Sequence, residues 1–246
     1  MGNTTRPIRR HGFVIMQISP EAQSFSAKQN IANNVTNHRK AYISNQSEIL
    51  TDIYQNDSNI VVWERNFSKT LSDSIAVFLL SNPAFQLSIT LSPKNAVEVM
   101  HQYLGANEQY AELSENIAEL VDMFAYLFAL KQVGLRLASL DRAMCPKFHV
   151  DRVPCRLITT YVGIATQWLP HDCVDRSKLG MGSQGLSDSQ SGIYQNQLDI
   201  QQLKEGDVAL LKGELWDGNE NAGLVHRSPM VNENENRLLL TLDFND

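Results

Sequence analysis

Apolar residues in the first half of the chain recur at helical spacing. In FSKTLSDSIAVFLL, Leu71, Ile75, Phe78 and Leu79 fall at i, i+4, i+7 and i+8, one face of a helix. From Glu108 to Leu130, Tyr110, Leu113, Ile117, Leu120, Phe124 and Leu127 return every three or four residues and predict a second helix. Between them Phe85, Leu87, Ile89 and Leu91 alternate strictly, which predicts a strand. SPKNAVEVMHQYL then opens a helix with Ser92 as N-cap and Pro93 at the first helical position. Residues 1–58 are polar and weakly patterned, with 1–20 expected to be flexible, and Ile60–Trp63 reads as a strand.

After residue 133 the helical period disappears. VGLRLASL, RLITTYVG, TQWLP, DVALLKG, GLVH and RLLLTLDF are short runs rich in leucine, β-branched and aromatic residues, separated by turn-forming stretches. That spacing belongs to a β-sandwich or barrel. Asp175–Gly192 has hardly a large apolar residue and predicts a mobile loop, of a length that in a compact domain tends to be functional. No internal repeat is visible.

Composition narrows the function classes. The 246 residues are 43% hydrophobic and 20% charged, an ordinary globular balance. A net charge of −6, from 21 basic and 27 acidic residues, argues against nucleic acid as a partner. The only basic cluster is Arg6, Arg9 and Arg10. The longest apolar run, Met123–Leu130, falls far short of the roughly 20 residues a helix needs to span a bilayer. FVIM is too short for a secretory core, so a cytoplasmic location is expected. Three cysteines are an odd number and predict no disulfide framework.

Candidate chemistry centres on CPKFHVDRVPCRLITTY, residues 145–161. If FHVD is extended, His149 and Asp151 point to one face and converge. Leu224-Val225-His226 offers a third donor on a later strand, and two histidines with one carboxylate make a non-haem iron ligand set. Arg237 opens the strand RLLLTLDF, where a buried guanidinium can clamp a carboxylate. Its bland alternative is an ion pair with Glu233 or Glu235.

His149-x-Asp151, His226 and Arg237 in this order resemble the Fe(II)/2-oxoglutarate-dependent dioxygenases, over roughly residues 133–246. FHVDRVPCRLITTY, GDVALLKGE and HRSP…RLLLTLDF resemble more closely an uncharacterised bacterial family, domain of unknown function 1826, over most of the chain. The first resemblance implies an α+β fold. Residues 133–246 would form a jelly roll (double-stranded β-helix), buttressed by a mainly helical 1–132 in one structural unit. It also implies Fe(II) on His149, Asp151 and His226, with Arg237 binding the far carboxylate of 2-oxoglutarate. The superfamily often carries a small hydroxyl residue two positions after that arginine; here Leu239 stands there, with Thr241 two further on.

Other residues complete the set. Arg156 and Thr160 alternate after the motif and are candidates to line the co-substrate side of the barrel, with Tyr161 on the opposite face. His171, Cys173, Cys145 and Cys155 offer a zinc alternative. The same triad holding zinc without redox turnover, or a jelly roll that only binds, are the competing readings. Trp168 and Trp216 read as packing residues, and Glu64 with Arg65 as a structural ion pair. The substrate and the oligomeric state are not legible.

Overall fold

Strands at the centre of the main sheet must be apolar on both faces, because helices cover one face and a second sheet covers the other. The computed structural model describes residues 38–233 and 235–245. The expectations for residues 1–20 and for Arg6, Arg9 and Arg10 lie outside them. The strands are β1 (Lys40–Ser44), β2 (Ser58–Trp63), β3 (Gln86–Leu91), β4 (Val133–Leu140), β5 (Cys155–Val162), β6 (Gln167–Leu169), β7 (Gln201–Gln202), β8 (Val208–Lys212), β9 (Val225–Arg227) and β10 (Arg237–Phe244). Seven form one sheet in the order β1-β2-β8-β5-β10-β4-β3, antiparallel except for β1 beside β2. A three-stranded sheet, β7-β6-β9, faces it.

The two sheets close on Ile60, Val62, Ala138, Ile158, Trp168, Ala209, Leu224 and Leu239, a buried cluster drawn from both. This is a jelly roll within an α+β chain. On the outer face of the large sheet lie α1 (Lys69–Ser81), α2 (Ala96–Leu104) and α3 (Ala111–Phe128). Leu113, Ile117, Leu120, Val121 and Phe124 of α3 pack there against Leu135, Leu157, Leu210 and Leu240. Full burial of each such side chain contributes about 1.5–3 kcal/mol.

Local signals explain the helix ends. Ser68 caps α1 by accepting from the Leu71 amide. Ser92 caps a 3-10 turn at Pro93–Asn95, and α2 follows from Ala96. α3 stops where Ala129 takes a left-handed φ of 55°.

Residue 133 does not divide the sheet. β1, β2 and β3 precede it and supply three of the seven strands. β1 was hidden because KAYIS is an exposed edge strand without a clean apolar alternation. The segment 175–192, expected as one long loop, carries short helical turns at Arg176–Lys178, Gly180–Ser183 and α4 (Asp188–Ser191). Glu64 and Arg65 do not pair with each other. Glu64 takes Lys204, while Arg65 donates to the Gly206 carbonyl and to Asn116. Their side chains alternate away from one another at the end of β2. Trp168 packs between the sheets and Trp216 against the helical layer. No helix among the described residues is long and apolar enough to cross a membrane.

A buried cation in the helical layer makes stability depend on pH. Lys212 is 2% exposed, donates to the Gln55 carbonyl at 2.9 Å and lies 4.7 Å from the Trp216 ring centroid. Burial pushes its ammonium down from 10.5 to about 8. The unfolded chain therefore binds more protons than the folded one between those values, and this group adds stability as pH climbs through that window. Wild type is expected to gain stability relative to Lys212→Met from pH 8 to pH 10.5. Urea unfolding at several pH values measures it; a difference that stays constant would sink the assignment.

Candidate metal centre

His149 and His226 face each other across a single rung of antiparallel ladder. The His149 amide donates to the His226 carbonyl and the His226 amide to the His149 carbonyl, both at 3.0 Å. Their rings lie 4.5 Å apart between centroids. Each Nδ1 sits beside a backbone carbonyl two residues earlier, His149 with Lys147 at 2.9 Å and His226 with Leu224 at 3.2 Å. A carbonyl only accepts, so Nδ1 carries a proton in both rings, and Nε2 is the atom each ring can offer to a metal. Those two atoms point at Asp151, at 3.8 Å from His149 and 3.4 Å from His226. One ligand atom from each of the three residues lies within 4.8 Å of the others.

Asp151 is fixed from behind. Its Oδ2 accepts from Arg156 at 2.8 Å, and Arg156 grips Asp243 through Nε and Nη2 at 2.8 and 2.9 Å. Burial opposes ionisation of Asp151, but the hydrogen bond and charge of His226 outweigh it. Arg156 and His149 add to this, and the carboxyl is held down to about 2. Burial, with the charge of His226, lowers the His149 imidazole below its ordinary value. A metal needs the carboxylate ionised and both imidazoles neutral, so its binding would release any proton held between the histidines and Asp151.

The backbone around Asp151 rests on one close approach. The Glu214 amide donates to the Asp151 carbonyl at 3.1 Å, and the Gly213 amide to the Pro154 carbonyl at 2.9 Å. A Cβ on Gly213 would run into the Val153 carbonyl oxygen. Only glycine lets β8 end against this turn.

Asp188, in α4, ties both histidine strands together. Its Oδ2 accepts from the Phe148 amide at 3.0 Å and from Arg227 Nη1 at 2.9 Å. These are the neighbours of His149 and His226, and Arg227 also stacks on the Phe148 ring at 4.3 Å. Asp188→Ala leaves the half-buried Arg227 guanidinium with Gln167 alone and the buried Phe148 amide without its acceptor. It is expected to cost about 3 kcal/mol of stability and to weaken metal binding roughly 10–100-fold. Denaturant unfolding and metal titration of the variant measure both; unchanged metal affinity would remove Asp188 from the site.

Arg237 is 1% exposed. Its Nη2 donates to Thr166 at 2.7 Å and Thr160 at 3.2 Å, its Nη1 to Ser228 at 3.4 Å, and its Nε is buried without a partner. Neither Glu233 nor Glu235 pairs with it; among the described residues no carboxylate does. Burial brings its guanidinium down from 12.5 to about 10. A cavity of about 580 Å³ runs past His149, His226, Thr166 and Ser228. Two of the Arg237 partners, Thr166 and Ser228, thus open onto the space that the two histidines line.

The remaining candidates divide. Thr160 meets Arg237, while Arg156 lines the cavity with its guanidinium committed to Asp151 and Asp243. Tyr161 points to the helical layer. So does Cys155, fully buried on the face away from the cavity. Strand alternation separates it from Arg156 and Thr160. Cys145 is exposed and Cys173 half-buried, and His171 lies beside Arg176. The zinc set of His171 with these cysteines is not assembled. Among the described residues, the group of three or more such ligands brought together is His149, Asp151 and His226. Asp188, Asp243, Thr166 and Ser228 were not read from sequence. For Asp243 the signal was there, since alternation from Leu239 through Thr241 puts it on the cavity face.

Solved structures similar to this chain include the dioxygenase for auxin oxidation of rice, with 11% identity, TM-score 0.46, and coverage of 84% of this chain and 83% of that one. A prolyl-4-hydroxylase of Pseudomonas putida has 10% identity, TM-score 0.41, and coverage of 81% and 98%. HygX of Streptomyces hygroscopicus with iron bound has 11% identity, TM-score 0.44, and coverage of 80% and 85%. No curated protein matches the chain by sequence. The profile described as "Protein of unknown function (DUF1826)" matches residues 44–243, and the chain belongs to that family.

Proposed function

We propose that this chain is a non-haem Fe(II)/2-oxoglutarate-dependent dioxygenase. The observation that supports this reading is the pairing of two features beside one cavity. The Nε2 atoms of two imidazoles and an ionised carboxylate converge there, and a buried guanidinium without an acid lies behind it. His149, Asp151 and His226 would hold iron, and two nitrogens with one carboxylate oxygen suit that metal. Arg237, steadied by Thr160 and Thr166, would receive the distal carboxylate of 2-oxoglutarate. With iron and 2-oxoglutarate bound, the site would supply O2-dependent oxidation, in which 2-oxoglutarate gives succinate and CO2, one oxygen atom entering the succinate and the other a substrate C–H bond.

The chain's own residues set the conditions. Arg156 holds Oδ2 of Asp151, the oxygen that also faces His226, and leaves Oδ1 toward His149. The Lys147 and Leu224 carbonyls hold both rings in the tautomer that presents Nε2. Ile158 and Leu239 line the cavity with apolar surface, which strengthens every charge interaction inside it.

An anaerobic titration of the apo protein with Fe(II) and then 2-oxoglutarate tests this reading. A visible metal-to-ligand charge-transfer band is the expected result. No band, together with tightly held zinc by metal analysis, would overturn it in favour of a zinc-binding protein on the same three ligands.

A further inference from the structure

Three arginines line the cavity, and their partners differ. Arg156 is bound by Asp151 and Asp243, and Arg227 by Asp188 and Gln167. Arg136 lines the same cavity, is exposed to it, and makes no ion pair or hydrogen bond with any described residue.

Strand register places Arg136 in a receptive setting. On β4, Ala138 and Leu140 point into the inter-sheet core, and Arg136 lies on that same face by alternation. Directly across the ladder stand Ser88 on β3 and Thr241 on β10. All three residues line the cavity. A planar guanidinium flanked by two hydroxyl groups is an anion-recognition set. Met144, Leu239 and Phe244 give the same cavity apolar wall, and about 580 Å³ is the volume of a small-molecule site.

The geometry points to Arg136 as the residue that recognises the substrate, a small organic acid bearing a carboxylate or phosphate. The acid group meets Arg136, Ser88 and Thr241, and the apolar remainder lies along the cavity toward His149 and His226. This inference rests on the oxygenase reading only for the fate of that molecule; the binding itself needs no metal.

Isothermal titration of the full chain with hexanoate, monohexyl phosphate and hexanamide tests it. Both acids, or one of them, are expected to bind roughly tenfold more tightly than the amide. That preference is expected to vanish in Arg136→Gln and persist in Arg237→Gln. The tighter acid decides between carboxylate and phosphate. Three results would overturn the proposal: no acid binding, amide binding as tight as acid, or acid binding that Arg237→Gln abolishes and Arg136→Gln leaves intact. The two readings fail separately. Arg136-dependent acid binding without the iron band leaves an acid-binding jelly roll. The iron band without Arg136-dependent binding leaves an oxygenase for another substrate class.

Discussion

Asp151→Ala is expected to abolish the charge-transfer band and to release the metal. Two imidazoles alone would remain, and the loss should exceed the roughly 10–100-fold that removal of an outer hydrogen-bond partner costs. The fold is expected to survive. Arg156 keeps both bonds to Asp243, so the substitution strands no buried charge. The turn at 151–154 is held by backbone bonds from Gly213 and Glu214, which the alanine retains. Unfolding midpoints close to wild type, alongside metal analysis showing an empty site, make the expected pair of results. Metal retained at wild-type affinity would remove Asp151 from the ligand set.

Arg237→Leu is expected to separate stability from co-substrate binding. A desolvated guanidinium that meets only hydroxyl groups is costly to bury, and an anion that reaches it recovers that cost. Loss of 2-oxoglutarate affinity by about 30-fold or more is expected, from the roughly 2–5 kcal/mol typical of a buried charge pair losing one partner. Stability of the ligand-free chain should hold or rise, since the burial penalty disappears. The sign with pH follows from the lowered guanidinium. Its folded value of about 10 lies below 12.5, so the penalty is complete below pH 10 and relaxes only above it. The stability difference between Arg237→Leu and wild type is therefore expected to be flat below pH 10. Thermal unfolding with and without 2-oxoglutarate reads both effects. Equal protection of the two proteins by 2-oxoglutarate would sink the anchor.

The legible parts of this chain were those with strong local signals. The 3.6-residue spacing of Leu113 to Phe124 and the alternation of Phe85 to Leu91 place α3 and β3 because burial on one face leaves a period in the sequence. His149, Asp151 and His226 were also readable, because spacing of two on extended chain leaves few ways to point. Other features carried no local signature. Asp188 acts through a turn whose residues have no period, and its partners lie 39 and 40 positions away. Alternation along β5 places Arg156 on the cavity face, but its partner Asp243 lies 87 positions away, a pairing that only the sheet order creates. β1 lies at an exposed edge, where Tyr42 packs on the core and the strand as a whole needs no apolar alternation.

The single rung between His149 and His226 offers a clock for the centre. Its two amide protons are locked by nothing except each other's carbonyl, with a chain separation of 77 residues behind them. Any local opening that parts the two histidines exposes both protons to exchange, whereas amides inside the seven-stranded sheet wait for larger openings. Hydrogen–deuterium exchange at these two positions therefore reports how often the centre comes apart. Metal binding should slow that exchange selectively, giving a measure of occupancy that needs no turnover and no known substrate.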